Sequence, residues 1–285
     1  MSSVTAVITT YGREAGIVKR AMDSVFAQSY PVRELLVVDD NKDGSEFSEG
    51  IRSLCDSYPN AAYIKQDGNR GSCAARNLGI QHACGEFIAF LDDDDQWLPD
   101  KIEKQMQAFE NDKSLGLVFC SGIVVDEING TESDYYNLHM KKDISFEDEL
   151  GCDYVGSTSN PLIKKKCFDV VGGFWEGQPA RQDYEMWLRI SKQFKIHGIE
   201  GKHFIYNQHG GVQITKDKRK SYAGFRNIYL RYREDYKKYP RARVNILNWI
   251  LWNREGISLE VLRFWLERQW VQIRHRIPRT ESDID

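Results

Sequence analysis

The sequence lacks the features that mark several large classes of protein. No run of apolar residues approaches the ~18 that a membrane-spanning helix requires. Its six cysteines include no CxxC pair, which excludes a zinc knuckle or a thioredoxin-like redox centre and predicts free thiols. A net charge of -3 argues against a nucleic-acid partner. Residues 1–7 have neither the basic nor the long apolar stretch of a secretory signal, so we expect a cytoplasmic protein.

What the sequence does contain is an alternation of strand and helix patterns through its first half. Hydrophobic residues make up 41% of the 285 residues, enough for a substantial core. Helical spacing of apolar residues separates short continuous apolar runs, which are typical of strands covered on both faces. These runs are Val4–Thr9, Leu35–Val38, Phe87–Leu91 and Leu117–Phe119. The order predicts an α/β fold with an open, mostly parallel sheet flanked by helices.

Polar residues follow these strands at the points where the strands end. They are Thr9, Thr10 and Tyr11 after the first run, Asp39 and Asp40 after the second, and Asp92–Asp95 after a later one. In open α/β sheets, ligands bind beyond the carboxyl ends of the strands. The sequence therefore predicts a binding site at this edge of the sheet.

Four consecutive carboxylates, Asp92–Asp95, form what we call the acidic turn. A folded chain tolerates such a run poorly unless a cation lies among the side chains. Carboxylate oxygens suit Mg²⁺ or Mn²⁺, ions that commonly bridge protein carboxylates and substrate phosphates. The alternative is a solvated turn in which Asp95 and Asp100 cap helices.

Two further segments suggest contacts to a nucleotide. A carboxylate at Asp39 can accept hydrogen bonds from a base or a ribose, although an Asx turn explains Asp39 and Asp40 equally well. Gly71 precedes a predicted helix that carries Arg76 about one turn inside, which suits a diphosphate. The alternative for Arg76 is an ordinary surface arginine.

Together these segments closely resemble the family 2 glycosyltransferases of the GT-A fold. The resemblance covers roughly residues 4–210, and its strength lies in several loose motifs occurring in the family's order. The matching segments are Val7–Tyr11, Val37–Asp40, Ala75–Gly79, Phe90–Trp97, Gly172–Phe174 and Gln182–Arg189.

The resemblance implies a metal-dependent enzyme that transfers a sugar, usually from a UDP-sugar, with inversion at the anomeric carbon. It implies that Thr9, Tyr11 and Asp39 contact the base and ribose, that Arg76 lies near the diphosphate, and that Asp92 and Asp93 hold the ribose. Mn²⁺ or Mg²⁺ would be bound by Asp94, with Asp92 and His209 as further ligands, and Asp183 would be the general base. One departure is Gln182, since many relatives carry Glu before the catalytic Asp.

The C-terminal segment is basic, aromatic and helical in pattern. We predict a GT-A catalytic domain at 1–215, with a nucleotide-binding half (1–100) and an acceptor-binding half (101–215), followed by a helical segment at 216–285. Arginines beside apolar residues that include Trp265 and Trp270 suit an anionic membrane interface. Packing on the catalytic domain or on another subunit, as a homo-oligomer, explains the pattern equally well. Membrane contact would place the protein at the inner face of the cell membrane, with a lipid-linked glycan as acceptor.

Two other functions remain open at this point. A nucleotidyltransferase also uses an α/β sheet, acidic metal ligands and a nucleotide, but the loop at residues 10–16 is a poor match to its Gly-rich phosphate loop. A non-catalytic nucleotide-sugar-binding module would not need Asp183.

Overall fold

The structure is a computed structural model that describes residues 2–135, 141–210 and 217–278. The strands are β1 (Val4–Thr10), β2 (Glu34–Asp39), β3 (Ala61–Lys65), β4 (Phe87–Asp92), β5 (Gln96–Trp97), β6 (Leu115–Asp126), β7 (Thr131–Asp134), β8 (Asp143–Ile144), β9 (Leu162–Lys164) and β10 (Lys195–Gln208). The helices are α1 (Ala15–Phe26), α2 (Glu46–Asp56), α3 (Ser72–His82), α4 (Lys101–Asn111), α5 (Phe146–Gly151), α6 (Lys166–Val171), α7 (Gln182–Gln193), α8 (Lys218–Arg231), α9 (Arg233–Lys238), α10 (Pro240–Trp252) and α11 (Leu259–His275).

One sheet runs through the molecule in the order β3-β2-β1-β4-β9-β6-β10-β5. Its first four strands are all parallel, so their carboxyl ends meet at one edge. Thr10 lies opposite Asp39, and Thr9 lies opposite Asp92. The predicted gathering of polar residues at this edge is therefore confirmed.

The second half of the sheet is mixed, because the short strand β9 runs antiparallel to both of its neighbours, β4 and β6. Beyond it, β6 and β10 are long and parallel to each other. Parallel ladders still join most of the paired residues, and helices cover both faces, so the predicted α/β class is confirmed. The six cysteines are free, as predicted.

The sheet separates two apolar layers, and successive residues of a strand point into opposite ones. Ile8 belongs to the same apolar layer as Met22 of α1 on one face, while the adjacent Val7 belongs to the same layer as Trp187 of α7 on the other. A third cluster joins α7 to the C-terminal helices. Its members include Tyr184 and Leu188 of α7, Ile246 of α10 and Phe264 of α11. Helix α7 is therefore held between the sheet and the C-terminal helices.

The C-terminal helices α8, α10 and α11 pack against one another and, through that third cluster, against the rest of the chain. The predicted domain boundary at residues 215 and 216 lies outside the described residues, as does the end of the helical segment at 279–285. The division into domains stays a prediction. In the described part of the chain, no helix is both long enough and apolar enough to cross a membrane.

Candidate active site

The acidic turn follows β4 directly, and its four carboxylates have separate environments. Asp92 is the last residue of β4, and the backbone N–H of Asp95 donates to the Asp92 carbonyl (3.1 Å), which closes the turn. Asp95 is buried and accepts from Ser159 Oγ (2.5 Å) and from the Asn207 backbone N–H (3.1 Å). Burial raises its pKa well above the usual range. Asp95 thus anchors the turn to the protein interior.

Asp93 and Asp94 share a cation that the sequence patterns did not indicate, the guanidinium of Arg13. Arg13 Nε donates to Asp93 Oδ1 (3.1 Å), and Arg13 Nη2 donates to Asp94 Oδ2 (2.6 Å). Burial, reinforced by the charge of Asp94, raises the pKa of Asp93 to about 6, although Arg13 and Thr10 oppose the shift. The loop between β1 and α1 therefore supplies positive charge to the acidic turn.

His209 also lies at the acidic turn, as the resemblance implied. Its Nε2 is 2.8 Å from Asp94 Oδ2 and 3.1 Å from Arg13 Nη2. Asp92 does not join this group, because its Oδ1 accepts from Arg76 Nη2 (2.9 Å) and from Thr158 Oγ1 (3.0 Å). Of the three predicted metal ligands, the structure brings Asp94 and His209 together and turns Asp92 towards Arg76.

The donor types at this point suit a divalent cation. A carboxylate oxygen and an imidazole nitrogen converge, and Mg²⁺ or Mn²⁺ commonly takes one or two protein ligands and completes its shell with substrate phosphates. Within residues 2–135, 141–210 and 217–278, no three His, Cys, Asp or Glu side chains are grouped to hold a metal by themselves. Asp94 and His209 therefore fit a cation that a bound phosphate would complete, and metal binding itself stays a prediction.

Asp39 is buried and is surrounded by hydrogen-bond donors. Its carboxylate accepts from the backbone N–H of Asn41 (2.8 Å), from Ser48 Oγ (2.6 Å) and from the Tyr63 hydroxyl (2.6 Å). Burial alone would raise the pKa of Asp39, but these hydrogen bonds outweigh it and lower the pKa. Asp39 is thus held as a carboxylate at the edge of the sheet beside Thr10.

Asp40 organises the approach to α3. Its two oxygens accept from the backbone N–H groups of Arg70 (2.8 Å) and Gly71 (2.9 Å). These bonds fix the start of α3 beside the carboxyl ends of β1 and β2. Tyr11, in contrast, is 55% exposed, and the structure leaves it at the rim of the site.

Arg76 connects the acidic turn to α7. It is buried in the first turns of α3, donates to Asp92 as described, and places Nη1 3.3 Å from Gln182 Oε1. Gln182 Oε1 also accepts from Ser72 Oγ (2.7 Å). A neutral Gln in this position therefore accepts two donors while adding no negative charge next to Asp183.

Asp183 lies in the first turn of α7, where its Oδ1 accepts the backbone N–H of Tyr184 (2.8 Å). Burial raises the pKa of Asp183, while the positive charges of Arg181 and Arg76 oppose that shift. Arg181, the residue before the helix, adopts a left-handed conformation with φ 58° that is uncommon for a residue with a side chain. Such outliers cluster at functional sites.

A second acid near Asp183 escaped the sequence patterns. Burial and the charge of Asp183 raise the pKa of Asp153 to about 7, and Asp153 Oδ1 accepts the Gly156 N–H (2.9 Å). Thr158 and Ser159 were missed as well, although the polar run at residues 156–160 before an apolar strand was a usable signal. Arg13 could have been found from its place in the loop after β1.

The fold and the site define the class. A parallel sheet edge carries an acidic turn, a buried arginine and a helix-borne carboxylate, and the glycosyl transferase family 2 model matches residues 5–170. The chain belongs to glycosyl transferase family 2 and is a glycosyltransferase.

Relatives in bacteria and archaea agree with this assignment. The chain is 28% identical over 203 residues to an uncharacterized glycosyltransferase of Methanocaldococcus jannaschii, with 69% of this chain and 68% of that protein covered. It is 27% identical over 203 residues to TuaG of Bacillus subtilis, a glycosyltransferase assigned by name to teichuronic acid biosynthesis, with 69% and 75% covered. It is 25% identical over 243 residues to WcaA of Escherichia coli, assigned by name to colanic acid biosynthesis, with 82% and 83% covered.

Solved structures of TarS from S. aureus share the fold. TarS residues 1–349 in complex with UDP-GlcNAc match at a TM-score of 0.60 and 13% identity, covering 98% of this chain and 74% of that one. A longer TarS chain matches at a TM-score of 0.63 and 14% identity, and this protein spans 49% of its length. The predicted GT-A-type fold is confirmed by this likeness.

Proposed function

We propose that this protein transfers a sugar from a UDP-sugar to an acceptor hydroxyl with inversion, in the assembly of a cell-surface polysaccharide. One observation carries the proposal. Arg76 bonds to Asp92 at the acidic turn and to Gln182 beside Asp183, so the expected diphosphate site and the expected base are joined by one side chain. The names of TuaG and WcaA support a polysaccharide product, and the UDP-GlcNAc bound to TarS supports a UDP-sugar donor.

The chemistry follows from the position of Asp183. We propose that the Asp183 carboxylate removes the proton of the acceptor hydroxyl. The Tyr184 N–H fixes Asp183 Oδ1 at the start of α7. As that proton leaves, the acceptor oxygen bonds to the anomeric carbon, the bond from this carbon to the diphosphate oxygen breaks, and UDP departs. One displacement inverts the configuration and needs no covalent enzyme intermediate.

The leaving diphosphate gathers negative charge, which the protein must offset. Arg76 supplies a buried guanidinium for this purpose. Asp94 and His209 would hold Mn²⁺ or Mg²⁺, and a bound divalent cation would offset the remaining charge. Thr9, Tyr11 and Asp39 line the edge where we place the uridine, with Asp92 and Asp93 beside the ribose.

A donor screen tests the proposal. We expect the protein to release UDP from one member of a panel of nucleotide-sugars, with release abolished by EDTA and restored by Mn²⁺. Asp183→Asn should lower kcat by about 100-fold or more while UDP still binds, because a general base contributes roughly 10²–10⁴-fold. Asp169→Asn, on α6, is the matched control and should retain activity.

Three results would count against the proposal. Release of pyrophosphate in place of UDP would indicate a nucleotidyltransferase. Equal turnover by Asp183→Asn and the wild type would remove Asp183 as the base, and binding of UDP without turnover of any donor would favour a non-catalytic module.

We further propose that α11 contacts an anionic membrane surface, as expected for an enzyme with a lipid-linked acceptor at the inner face of the cell membrane. One face of this helix packs on the third cluster through Val261 and Phe264, and Val271 is buried as well. The opposite face carries exposed apolar side chains at helical spacing, which we call the apolar stripe: Leu259, Leu262, Leu266, Trp270 and Ile273. A helix with one packed face and one exposed apolar face suits the boundary between headgroups and acyl chains.

The charges around the apolar stripe favour an anionic surface over a second copy of the chain. Glu260 and Glu267 are engaged with Arg226 and Arg243 on the packed side. Exposed arginines flank the stripe at 263, 274 and 276. Basic residues near a membrane surface are each worth about 1 kcal/mol against anionic lipids.

Vesicle sedimentation tests this surface. We expect the wild type to sediment with phosphatidylglycerol-containing vesicles and less with pure phosphatidylcholine. Replacing Leu262 and Leu266 by Glu should weaken binding about tenfold or more, since each buried leucine contributes ~1.5–3 kcal/mol. Leu230→Glu, at an exposed leucine of α8, is the matched control. If the wild type is a dimer that does not bind vesicles, and the double variant is a monomer, the apolar stripe is instead a subunit interface.

A further inference from the structure

Arg13 is the feature of this site that the proposed reaction does not yet use. Its side chain is 20% exposed and lies against Asp93 and Asp94, which are 10% and 17% exposed. Charges this far from solvent are weakly screened, so the guanidinium neutralises much of the acidic turn. The acidic turn therefore already contains a cation supplied by the chain itself.

The position of that cation overlaps the expected metal site. Arg13 Nη2 lies 2.6 Å from Asp94 Oδ2 and 3.1 Å from His209 Nε2, which are the two protein atoms expected to bind a divalent cation. An ion bonded to both atoms would meet the guanidinium at contact distance, with like charges opposed. Asp94 Oδ2 and His209 Nε2 therefore cannot bind a metal ion and Arg13 at the same time.

We infer that Arg13 and a divalent cation exclude each other at Asp94 and His209, and that the donor's diphosphate relieves this exclusion by giving Arg13 another anionic partner. The inference rests on the proposed function for its donor. It makes metal and donor binding mutually dependent, because each one favours the arrangement in which Arg13 has left the acidic turn. The protein then binds its metal weakly until the nucleotide arrives.

The loop that carries Arg13 allows such a movement. Arg13 lies between the end of β1 and the start of α1, so its side chain can turn without disturbing the sheet. The preceding Gly12 has φ +62° and donates its N–H to Asn41 Oδ1 (2.8 Å), which holds the backbone in place while the side chain reorients. Arginine also pairs well with phosphate, by forked hydrogen bonds.

Titration of Mn²⁺, followed by the electron paramagnetic resonance signal of the free ion, tests the inference without measuring turnover. For the wild type we expect weak Mn²⁺ binding that UDP strengthens. Arg13→Gln should bind Mn²⁺ alone about tenfold more tightly or better, since the ion no longer competes with a charge-assisted hydrogen bond. UDP should then strengthen Mn²⁺ binding less in this variant than in the wild type. Arg13→Lys keeps the charge but loses the fork, and should fall between the two.

Arg20→Gln is the matched control for the loss of one positive charge near the acidic turn. Arg20 bonds to Glu127 (2.8 Å) and reaches the backbone carbonyl of Asp94 (3.5 Å), without contacting the carboxylates of Asp93 or Asp94. Its Mn²⁺ affinity should stay close to that of the wild type. If Arg13→Gln and Arg20→Gln gain Mn²⁺ affinity equally, the gain comes from the loss of one positive charge near the site, and the inference is overturned.

The remaining outcomes separate this inference from the proposed function. If the wild type binds Mn²⁺ as tightly alone as with UDP, or if Arg13→Gln binds it no better, the exclusion is wrong even when the enzyme proves metal-dependent. If Arg13→Gln gains Mn²⁺ binding while the wild type transfers sugar without any metal, the exclusion stands and the metal requirement in the proposed function is wrong.

Discussion

The aspartates of this site show how environment divides one residue type into several roles. Hydrogen bonds keep the pKa of Asp39 low in spite of burial, while burial dominates at Asp95 and raises its pKa. Asp183 is only half-buried; desolvation raises its pKa, and the charges of Arg181 and Arg76 limit the rise. The sequence motifs located these carboxylates, since they follow buried strands or begin a helix. The motifs did not separate their roles, because neighbours distant in sequence, such as Ser159 and Asn207, decide them.

The pH dependence of turnover follows from the raised pKa of Asp183. If Asp183 is the base, as proposed, it must be ionised, and the acid limb of kcat/KM should lie above the range of an ordinary aspartate, ~pH 4. The positive charge of Arg181 favours the ionised form of Asp183. Removing that charge in Arg181→Gln should raise the pKa of Asp183 further and move the acid limb to higher pH. Arg181→Lys keeps the charge and should leave the limb near its wild-type position.

The two profiles can be compared directly by measuring UDP release across pH with one donor. Superimposable acid limbs for Arg181→Gln and Arg181→Lys would show that Arg181 does not act on the base. A shift of the acid limb to lower pH in Arg181→Gln would contradict the predicted rise in the pKa of Asp183.

Among the secondary-structure elements, the parallel strands were the most predictable. The apolar runs around Ile8, Val37 and Phe90 belong to β1, β2 and β4. Strands covered on both faces carry apolar side chains on both, so they appear in a sequence as continuous apolar runs. β9 and much of β10 were missed. β9 has only three residues, and the exposed run at residues 200–202 of β10, with glycines at 198 and 201, interrupts its strand pattern.

Helix α8 lies close against the segment before α7. A Cβ at Gly224 would lie 2.5 Å from the Ala180 carbonyl oxygen, and Phe225 lies under the Arg181 guanidinium (4.7 Å). Gly224→Ala should therefore push α8 away from the segment that leads into Asp183. We expect a loss of about 1–3 kcal/mol in the free energy of unfolding and a lower kcat.

Gly16→Ala is the matched control, because a Cβ at this position of α1 meets nothing within 4 Å. It should stabilise the protein by about 0.5–1 kcal/mol and keep full activity. Denaturant unfolding and UDP release measure both quantities. A Gly224→Ala protein as stable and active as Gly16→Ala would show that α8 does not position the base.

At the scale of the whole molecule, the C-terminal helices and the catalytic sheet act on the same element. Helix α7 contacts the sheet through Trp187 and the C-terminal helices through Tyr184 and Leu188. Asp183, the proposed base in the first turn of α7, is therefore positioned by packing from both sides. The sequence predicted a separate helical segment but not this shared role, because packing between distant segments leaves no periodic signal in either of them.

We propose above all that a UDP-sugar binds at the carboxyl ends of β1, β2 and β4 with its diphosphate against a divalent cation. Crystals grown with UDP and Mn²⁺, measured for manganese anomalous scattering, test it most directly. We predict an anomalous peak about 2.0–2.3 Å from Asp94 and His209, with uridine beside Asp39 and the Arg13 guanidinium turned away from the acidic turn. UDP bound elsewhere, or a nucleotide at this edge with no manganese beside Asp94, would contradict the account.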